Sequence, residues 1–262
     1  MTSPPTIHRC GQAAIVGPPN AGKSTLLNRL VGEALSIVTP VPQTTRHRIL
    51  GVLQRPDAQV SLVDTPGFHV PRTEMNRMMI KALDAALEVA DVYLLLVAAT
   101  GRRPPDERFG PPLSQLVDRL HRVGKPTILG LTKIDLVRPK ERLLPLMEEA
   151  ARRIDPVAVV PISPLTGDGV DRLVDALVPL LPEGPPLWAP DDLTDRPLRF
   201  LAAERIREAV TLETRQEVPH AVAVVIERWD EGDRSTTIQA ALVVDRAAHK
   251  RILVGRAGGM IK

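Results

Sequence analysis

Apolar runs of strand length alternate with stretches of helical periodicity over the first 181 residues of the chain. The strand-like runs are QAAIVG (12–17), RILGVLQ (48–54), QVSLVDT (59–65), DVYLLLV (91–97), PTILGLT (126–132) and VAVVPIS (157–163). The helical patterns cover residues 23–32, 74–90, 107–123, 139–153 and 170–180. This alternation predicts an α/β fold in which helices cover both faces of a mainly parallel sheet.

The pattern changes after residue 181. Residues 182–197 are rich in proline and acidic side chains and lack periodicity, which predicts a linker or a wrapping arm. Residues 198–214 have helical periodicity, with predicted core positions at Leu198, Leu201, Ile206 and Val210. Two strand patterns, HAVAVVIER and TTIQAALVV, follow and are joined by DEGD. We therefore predict one domain over residues 8–181 and a smaller α+β domain over residues 198–262.

The composition narrows the class of protein. Of the 262 residues, 44% are hydrophobic, as in soluble globular proteins. The longest apolar stretch, residues 92–99, is too short to span a bilayer, and the N-terminus has no apolar signal region, so we expect a cytoplasmic protein. Cys10 is the single cysteine, which excludes an internal disulfide. Six histidines lack metal-ligand spacing, and we predict each to be a surface or loop residue.

A phosphate-binding loop pattern, GPPNAGKST, follows the first strand and opens the first helix. The glycines let the backbone curl so that its N–H groups face phosphate oxygens at a helix N-terminus. Lys23 should reach the β- and γ-phosphates, and the Ser24 hydroxyl should ligate Mg²⁺. A glycine-rich turn without a ligand is the alternative, which the strand–loop–helix context disfavours. The predicted phosphate-binding residues are Gly17, Pro18, Pro19, Asn20, Ala21, Gly22, Lys23, Ser24 and Thr25.

Three further motifs stand at the ends of predicted strands, where ligands bind in parallel sheets. In DTPG, Asp64 can hold Mg²⁺ through water, and the Gly67 N–H can contact a γ-phosphate. In TKID, Asp135 can accept the N1 and N2 hydrogens of guanine, a donor pair that adenine lacks. In SPLTGDG (163–169), backbone N–H groups can meet the guanine O6. The predicted binding residues here are Asp64, Thr65, Pro66, Gly67, Thr132, Lys133, Asp135, Ser163, Pro164 and Leu165.

Residues 11–180 resemble a translation-factor-type GTPase domain, and QTTRHRILG (43–51) is similar to the corresponding segment of the Era family. The later segments TDRPLRF, ERIREAV, EVPHAVAVVIE and GRAGGMIK resemble the second domain of that family, a KH domain. The resemblance implies a Mg²⁺-dependent GTPase that forms GDP and phosphate and binds small-subunit ribosomal RNA during ribosome assembly. It also implies peripheral association with the inner membrane, and we expect a monomer.

The resemblance also implies a first switch segment, which comprises Gln43, Thr44, Thr45, Arg46 and His47. Thr45, with Thr44 as the alternative, would close on Mg²⁺ when GTP is bound, beside Ser24 and Asp64. Hydrolysis would release the segments around residues 33–48 and 66–78 and change the position of the KH domain.

The sequence GRAG (255–258) matches the GXXG loop with which KH domains clamp a single-stranded backbone. Residues 245–262 contain five basic residues and one acidic residue, whereas the whole chain carries a net charge of only +3. Positive charge in this segment suits contacts with phosphates. A basic face that only contacts solvent is the alternative. The predicted RNA-binding residues are Lys250, Arg251, Gly255, Arg256, Ala257, Gly258 and Lys262.

The chain departs from the family pattern in three places and from the Ras pattern in one. Thr132 replaces a usual asparagine that braces the P-loop, so we expect weaker bracing without lost guanine specificity, and Pro164 replaces a small residue. Because the chain ends four residues after the GXXG loop, we expect an incomplete KH domain. Phe68 replaces the glutamine that orients water in the Ras pattern.

A potassium ion is the predicted substitute for the missing glutamine. GTPases that this chain resembles use an asparagine at the Asn20 position, with switch carbonyls, to hold K⁺ against the phosphates. The alternative is that Asn20 only caps the loop through hydrogen bonds to its backbone. The predicted catalytic residues are therefore Lys23, Thr45, Gly67 and Asn20.

A different class of function is also compatible with the sequence. In this alternative, the protein is a GTP-dependent scaffold whose second domain binds a protein or a membrane surface, and hydrolysis is incidental. Binding to ribosomal RNA separates the two hypotheses.

Overall fold

The chain forms two sheets in the computed structural model, which describes residues 8–41, 44–68, 74–100, 109–214, 218–255 and 258–259. The strands of the larger sheet are β1 (Arg9–Val16), β2 (Ile49–Gln54), β3 (Ala58–Asp64), β4 (Val92–Ala98), β5 (Thr127–Thr132) and β6 (Ala158–Pro161). Their order is β2-β3-β1-β4-β5-β6. Strand β2 is antiparallel to β3, and the other pairs are parallel. The predicted mainly parallel α/β sheet is confirmed.

Helices cover both faces of this sheet. They are α1 (Lys23–Val31), α2 (Glu74–Val89), α3 (Pro111–Val123), α4 (Leu143–Ile154) and α5 (Val170–Leu177). Apolar residues of α2, α3 and α4 form one core cluster with Tyr93 and Leu95 of β4. On β2, Val52 packs in a cluster with Ala86 of α2, whereas a Cβ on the neighbouring Gly51 would lie 2.8 Å from Leu27 of α1. Since neighbouring strand residues point to opposite faces, α1 and α2 lie on opposite sides.

The segment after α5 covers the exposed edge of the sheet. The N–H of Val52 on edge strand β2 donates to the Leu193 carbonyl at 2.9 Å. The indole N–H of Trp188 donates to Ser61 Oγ at 2.9 Å. The buried carboxamide of Gln59 accepts from the N–H groups of Leu187 and Trp188 and donates to the Trp188 carbonyl. The bond to Leu193 satisfies a backbone group that an open edge strand would otherwise present to other chains, and the bonds of Ser61 and Gln59 on β3 fix the covering segment. The first compact unit comprises residues 1–36 and 45–195, so this segment belongs to it.

A second compact unit comprises residues 37–44 and 196–262. Its elements are α6 (Leu198–Glu213), α7 (Val218–Ala221), β7 (Val222–Glu231), β8 (Thr236–Val244) and α8 (Ala247–Val254). Strands β7 and β8 are antiparallel. Val218, Val222 and Leu253 form a small buried cluster, so the predicted second α+β domain is confirmed. Among the described residues, no helix combines the length and the apolar character needed to cross a membrane.

Two sequence-based predictions for this unit are wrong. Leu198, a predicted core residue of α6, is 68% exposed, whereas Arg207 and Thr211 are the residues that α6 buries. His249, predicted to be a surface residue, is buried on α8, where Nδ1 lies 2.7 Å from Asp245 Oδ1. Neither hydrophobic periodicity nor the lack of metal-ligand spacing detects a polar side chain that is buried with a polar partner.

Candidate functional site

The loop between β1 and α1 has a backbone that requires glycine. Gly17 has φ 146°, and a Cβ at this position would lie 2.3 Å from the Leu96 carbonyl oxygen. Gly22, immediately before α1, has φ 93°, and Asn20 has φ 58°. Three positive φ angles within six residues curl the loop around the start of α1, the arrangement that presents N–H groups to an anion.

Lys23 and Asp64 bring opposite charges into the protein interior beside this loop. Lys23 is 6% exposed, and Nζ donates to the carbonyls of Gly17 at 3.2 Å and Pro18 at 2.9 Å. Burial lowers the pKa of Lys23 to about 8, against the opposing effect of Asp64. Burial raises the pKa of Asp64, against the opposing effects of Lys23 and of hydrogen bonds from Ser24 and Thr45. Phosphates beside Lys23 and a cation beside Asp64 would favour both charged forms.

Three predicted metal-binding side chains lie together. Ser24 Oγ donates to Asp64 Oδ2 at 2.7 Å. Thr45 Oγ1 lies 3.0 Å from Ser24 Oγ and 3.4 Å from Asp64 Oδ2. Asp64 Oδ1 is buried and has no hydrogen-bond partner. Hydroxyl and carboxylate oxygens suit a hard cation such as Mg²⁺, and the unpartnered buried oxygen fits a cation site.

The DTPG segment lies directly against the phosphate-binding loop. A Cβ at Gly67 would lie 2.9 Å from Pro19 Cα, so glycine permits the close approach. The Phe68 N–H donates to the Gly17 carbonyl at 3.0 Å. The Phe68 side chain is 3% exposed and packs in the core, where the Arg119 guanidinium lies 5.8 Å from its ring centroid. A buried phenyl ring cannot position an attacking water.

The TKID and SPLTGDG motifs also lie together, beyond the ends of β5 and β6. Ser163 Oγ donates to Asp135 Oδ1 at 2.7 Å, which fixes the orientation of the carboxylate. Thr132 is fully buried, and Oγ1 donates to the Ala21 carbonyl at 2.7 Å. Thr132 therefore connects this loop to the phosphate-binding loop. That this contact braces the loop less strongly than an asparagine would stays a prediction.

Arg29 is a residue of this site that the sequence did not reveal. It projects from α1, and Nε donates to the Pro164 carbonyl at 3.1 Å while Nη2 donates to the Leu165 carbonyl at 2.5 Å. Helix α1 thus carries Lys23, a predicted phosphate-binding residue, at one end and holds the 163–169 loop near the other. A contact across 135 residues of sequence leaves no local signal.

The predicted RNA-binding residues of the second unit are partly described. Lys250 and Arg251 are exposed on α8, and with Ile252, Val254 and Gly255 they line a groove of about 530 Å³. Gly255 and Gly258 have φ angles of 69° and 74°. The remaining predicted residues lie outside the described part of the chain: Arg256, Ala257 and Lys262 of this group and Gln43 of the switch segment.

Comparison with family models defines the class of protein. Residues 12–133 match the model of the 50S ribosome-binding GTPases, and residues 217–262 match that of the KH domains. A GTPase domain with this phosphate-binding loop, followed by a KH domain, places the chain among GTPases that carry a nucleic-acid-binding module.

Relatives identify the family. The chain is 42% identical over 259 residues to GTPase Era of Nitratidesulfovibrio vulgaris (strain DSM 19637 / Miyazaki F), in an alignment that covers 98% of this chain and 84% of the relative. It is 43% identical over 256 residues to GTPase Era of Lacticaseibacillus paracasei, covering 97% and 83%. The chain belongs to the Era GTPase family, and it is a GTPase.

Two solved structures are similar over nearly the whole chain. One is Era in complex with MgGDPNP and nucleotides 1506–1542 of 16S ribosomal RNA, with TM-score 0.91 and 38% identity over 97% of this chain and 85% of that chain. The other is an Aquifex aeolicus Era variant bound to GDP·AlF4⁻, with TM-score 0.88 and 40% identity at the same coverage.

We expect Arg29→Gln to release GDP about fivefold faster than the wild type. The substitution removes two charge-assisted hydrogen bonds to the 163–165 loop, which we predict to contact guanine, and this loss costs about 1 kcal/mol. Stopped-flow release of a fluorescent GDP measures the rate. Arg172→Gln is the matched control, since Arg172 pairs with the Asp168 carboxylate of the same loop and its loss keeps both carbonyl contacts. Equal release rates in the wild type and Arg29→Gln would contradict the proposed contribution of this contact.

Proposed function

We propose that this GTPase binds Mg²⁺·GTP at the carboxyl edge of its large sheet and binds small-subunit ribosomal RNA through its KH domain during assembly of that subunit. The observation that carries the nucleotide half is the group of Ser24, Thr45 and Asp64 oxygens beside the buried Lys23. The RNA half is supported by the similar Era structure, which holds a 16S ribosomal RNA fragment.

The phosphates lie along the loop of residues 17–25 in this proposal. Lys23 Nζ exchanges its bonds to the Gly17 and Pro18 carbonyls for the β- and γ-phosphate oxygens. Ser24, Thr45 and Asp64 are the residues that would hold the magnesium ion. When bound, Mg²⁺ neutralises charge that develops on the transferring phosphoryl group. The Gly67 N–H binds the γ-phosphate, because Gly67 lies against the same loop.

Guanine lies against Asp135 in this proposal. Asp135 accepts the base N1 and N2 hydrogens, and the hydrogen bond from Ser163 keeps the carboxylate in one orientation. Thr132 and Lys133 support the loop beside the base, and backbone N–H groups of residues 163–165 contact O6. Two carboxylate contacts of this kind reject adenine, because adenine would leave the carboxylate unpaired.

The KH domain binds a single-stranded RNA backbone at the GXXG loop. Exposed Lys250 and Arg251 stand beside the groove that precedes this loop, so phosphate oxygens can reach them from solvent. The positive φ angles of Gly255 and Gly258 suit a loop that approaches phosphates closely.

Asn20 is the residue that would hold a potassium ion in this proposal, and the ion would supply positive charge beside the phosphates. Phe68 is buried, so other groups must supply the charge and position the water. Asn20 is exposed on the phosphate-binding loop, where a cation could reach both its side chain and the phosphates. Loop capping by Asn20 is the alternative.

Peripheral membrane association and a monomeric state stay predictions. Binding of ribosomal RNA separates the proposal from the scaffold alternative, in which the second domain binds a protein or a membrane surface.

We expect Lys250→Glu/Arg251→Glu to weaken RNA binding at least about tenfold, because phosphate contacts dominate affinity for a nucleic-acid backbone. Filter binding to a single-stranded 3′ segment of 16S ribosomal RNA, with a GTP analogue and with GDP, measures this. Arg228→Glu/Arg234→Glu, which makes the same charge change on the β7–β8 hairpin, is the control. Equal losses in the two variants would remove the groove as the RNA site. Absence of RNA binding in the wild type would favour the scaffold.

We expect the wild-type protein to hydrolyse GTP faster in KCl than in NaCl at equal ionic strength, and Asn20→Ala to remove the difference. A cation fixed at the phosphates stabilises the transition state more than one that exchanges freely. Single-turnover hydrolysis in the two salts measures the rates. If the wild-type rates are equal in the two salts, Asn20 has no potassium role.

A further inference from the structure

Helix α6 buries a charge where an apolar stripe is expected. Its buried residues are Arg207 and Thr211, and Arg207 is only 4% exposed. A buried guanidinium is costly unless its N–H groups are paired. The contacts of Arg207 therefore indicate which groups this face of the helix binds.

Arg207 is paired on two sides. Nε donates to Glu204 Oε1 at 2.8 Å, and Nη2 donates to Glu204 Oε2 at 2.7 Å, so the ion pair is bidentate. The same Nη2 donates to the backbone carbonyl of Thr44 at 2.8 Å. Glu208, one residue further along the helix, accepts the N–H of Val38 at 2.8 Å. The helix thus holds the segment 37–44 at both ends.

The held carbonyl belongs to the peptide that leads into Thr45. The carbonyl of Thr44 and the N–H of Thr45 share one planar peptide unit, so fixing the oxygen restricts the orientation of the whole unit. The Thr45 hydroxyl is the group that lies beside Ser24 and Asp64. Arg207 is therefore hydrogen-bonded to the peptide group that precedes Thr45, a proposed Mg²⁺ ligand.

We propose that Arg207 is a positioning residue for the GTP-bound state: it holds the Thr44–Thr45 peptide so that the Thr45 hydroxyl faces the Mg²⁺ of bound GTP. The inference rests on the proposed role of Thr45. A contact that supports the GTP-bound position of Thr45 increases affinity for GTP over GDP, and GTP in turn stabilises the contact.

Arginine suits this position and lysine does not. The guanidinium bonds to Glu204 with two nitrogen atoms in a fixed plane and still directs one N–H to the Thr44 carbonyl. An ammonium group is a point charge that cannot reproduce both contacts in one geometry. Arg207→Lys therefore keeps the charge and loses the alignment.

The test compares affinities for a non-hydrolysable GTP analogue and for GDP, with Mg²⁺ present. We expect Arg207→Lys to weaken binding of the analogue about tenfold and to leave GDP binding unchanged, as for loss of a charge-assisted hydrogen bond. Arg199→Lys, at an exposed position of the same helix, is the matched control and should change neither. Equal loss for both nucleotides would indicate a merely structural role and overturn the proposal.

A double-mutant cycle with Thr45→Ala shows whether Arg207 acts through Thr45. We expect the double variant to lose no more analogue affinity than Thr45→Ala alone, because the positioned group is already gone. Additive losses would overturn the proposal. If Thr45→Ala weakens the analogue but Arg207→Lys does not, the inference fails and the proposed function stands. If Thr45→Ala has no effect, the proposed role of Thr45 fails, and the inference fails with it. Glu204→Gln, which loosens Arg207 without removing it, should repeat the selective loss if Arg207→Lys does not fold.

Discussion

The burial of Lys23 and Asp64 beside each other is the constraint around which the first unit is organised. Each group loses hydration at the carboxyl edge of the sheet, which lowers the pKa of the lysine and raises that of the aspartate. Such a pair is costly without strong partners. Its partners are the carbonyls of a loop that requires glycine at position 17 and the Ser24 hydroxyl. Bound phosphates and a divalent cation would add what the protein groups leave unsatisfied, so ligand binding and stability are linked.

The second unit extends this logic to the segment before Thr45. The small apolar core of this unit needs no buried arginine. Helix α6 nevertheless buries Arg207, which pairs with the Glu204 carboxylate and the Thr44 carbonyl. Such a polar contact is stable in one arrangement and is lost when the segment moves, whereas apolar packing tolerates small shifts. This difference makes the contact suited to distinguish nucleotide states.

Most of the fold and the main nucleotide-binding motifs could be predicted from the sequence, because each depends on local pattern. A phosphate-binding loop between an apolar strand and a helix can be recognised in nine residues, and strand ends carry Asp64 and Asp135 to one edge. Arg29 and Arg207 could not be predicted. Their partners lie 135 and 163 residues away, and only tertiary packing brings them together. For α6, hydrophobic periodicity predicted a core position at Leu198, because periodicity does not detect a buried ion pair such as that of Arg207.

The most direct test of the account is the Mg²⁺ dependence of GTP hydrolysis in the wild type and in Ser24→Ala. Ser24 Oγ is bonded to Asp64 and lies beside Thr45, so its loss removes one proposed ligand without removing a charge. We expect the variant to need at least about tenfold more Mg²⁺ for half-maximal hydrolysis, while GDP binding in excess chelator stays unchanged. The same Mg²⁺ midpoint in both proteins would contradict the assignment of this oxygen group as the cation site.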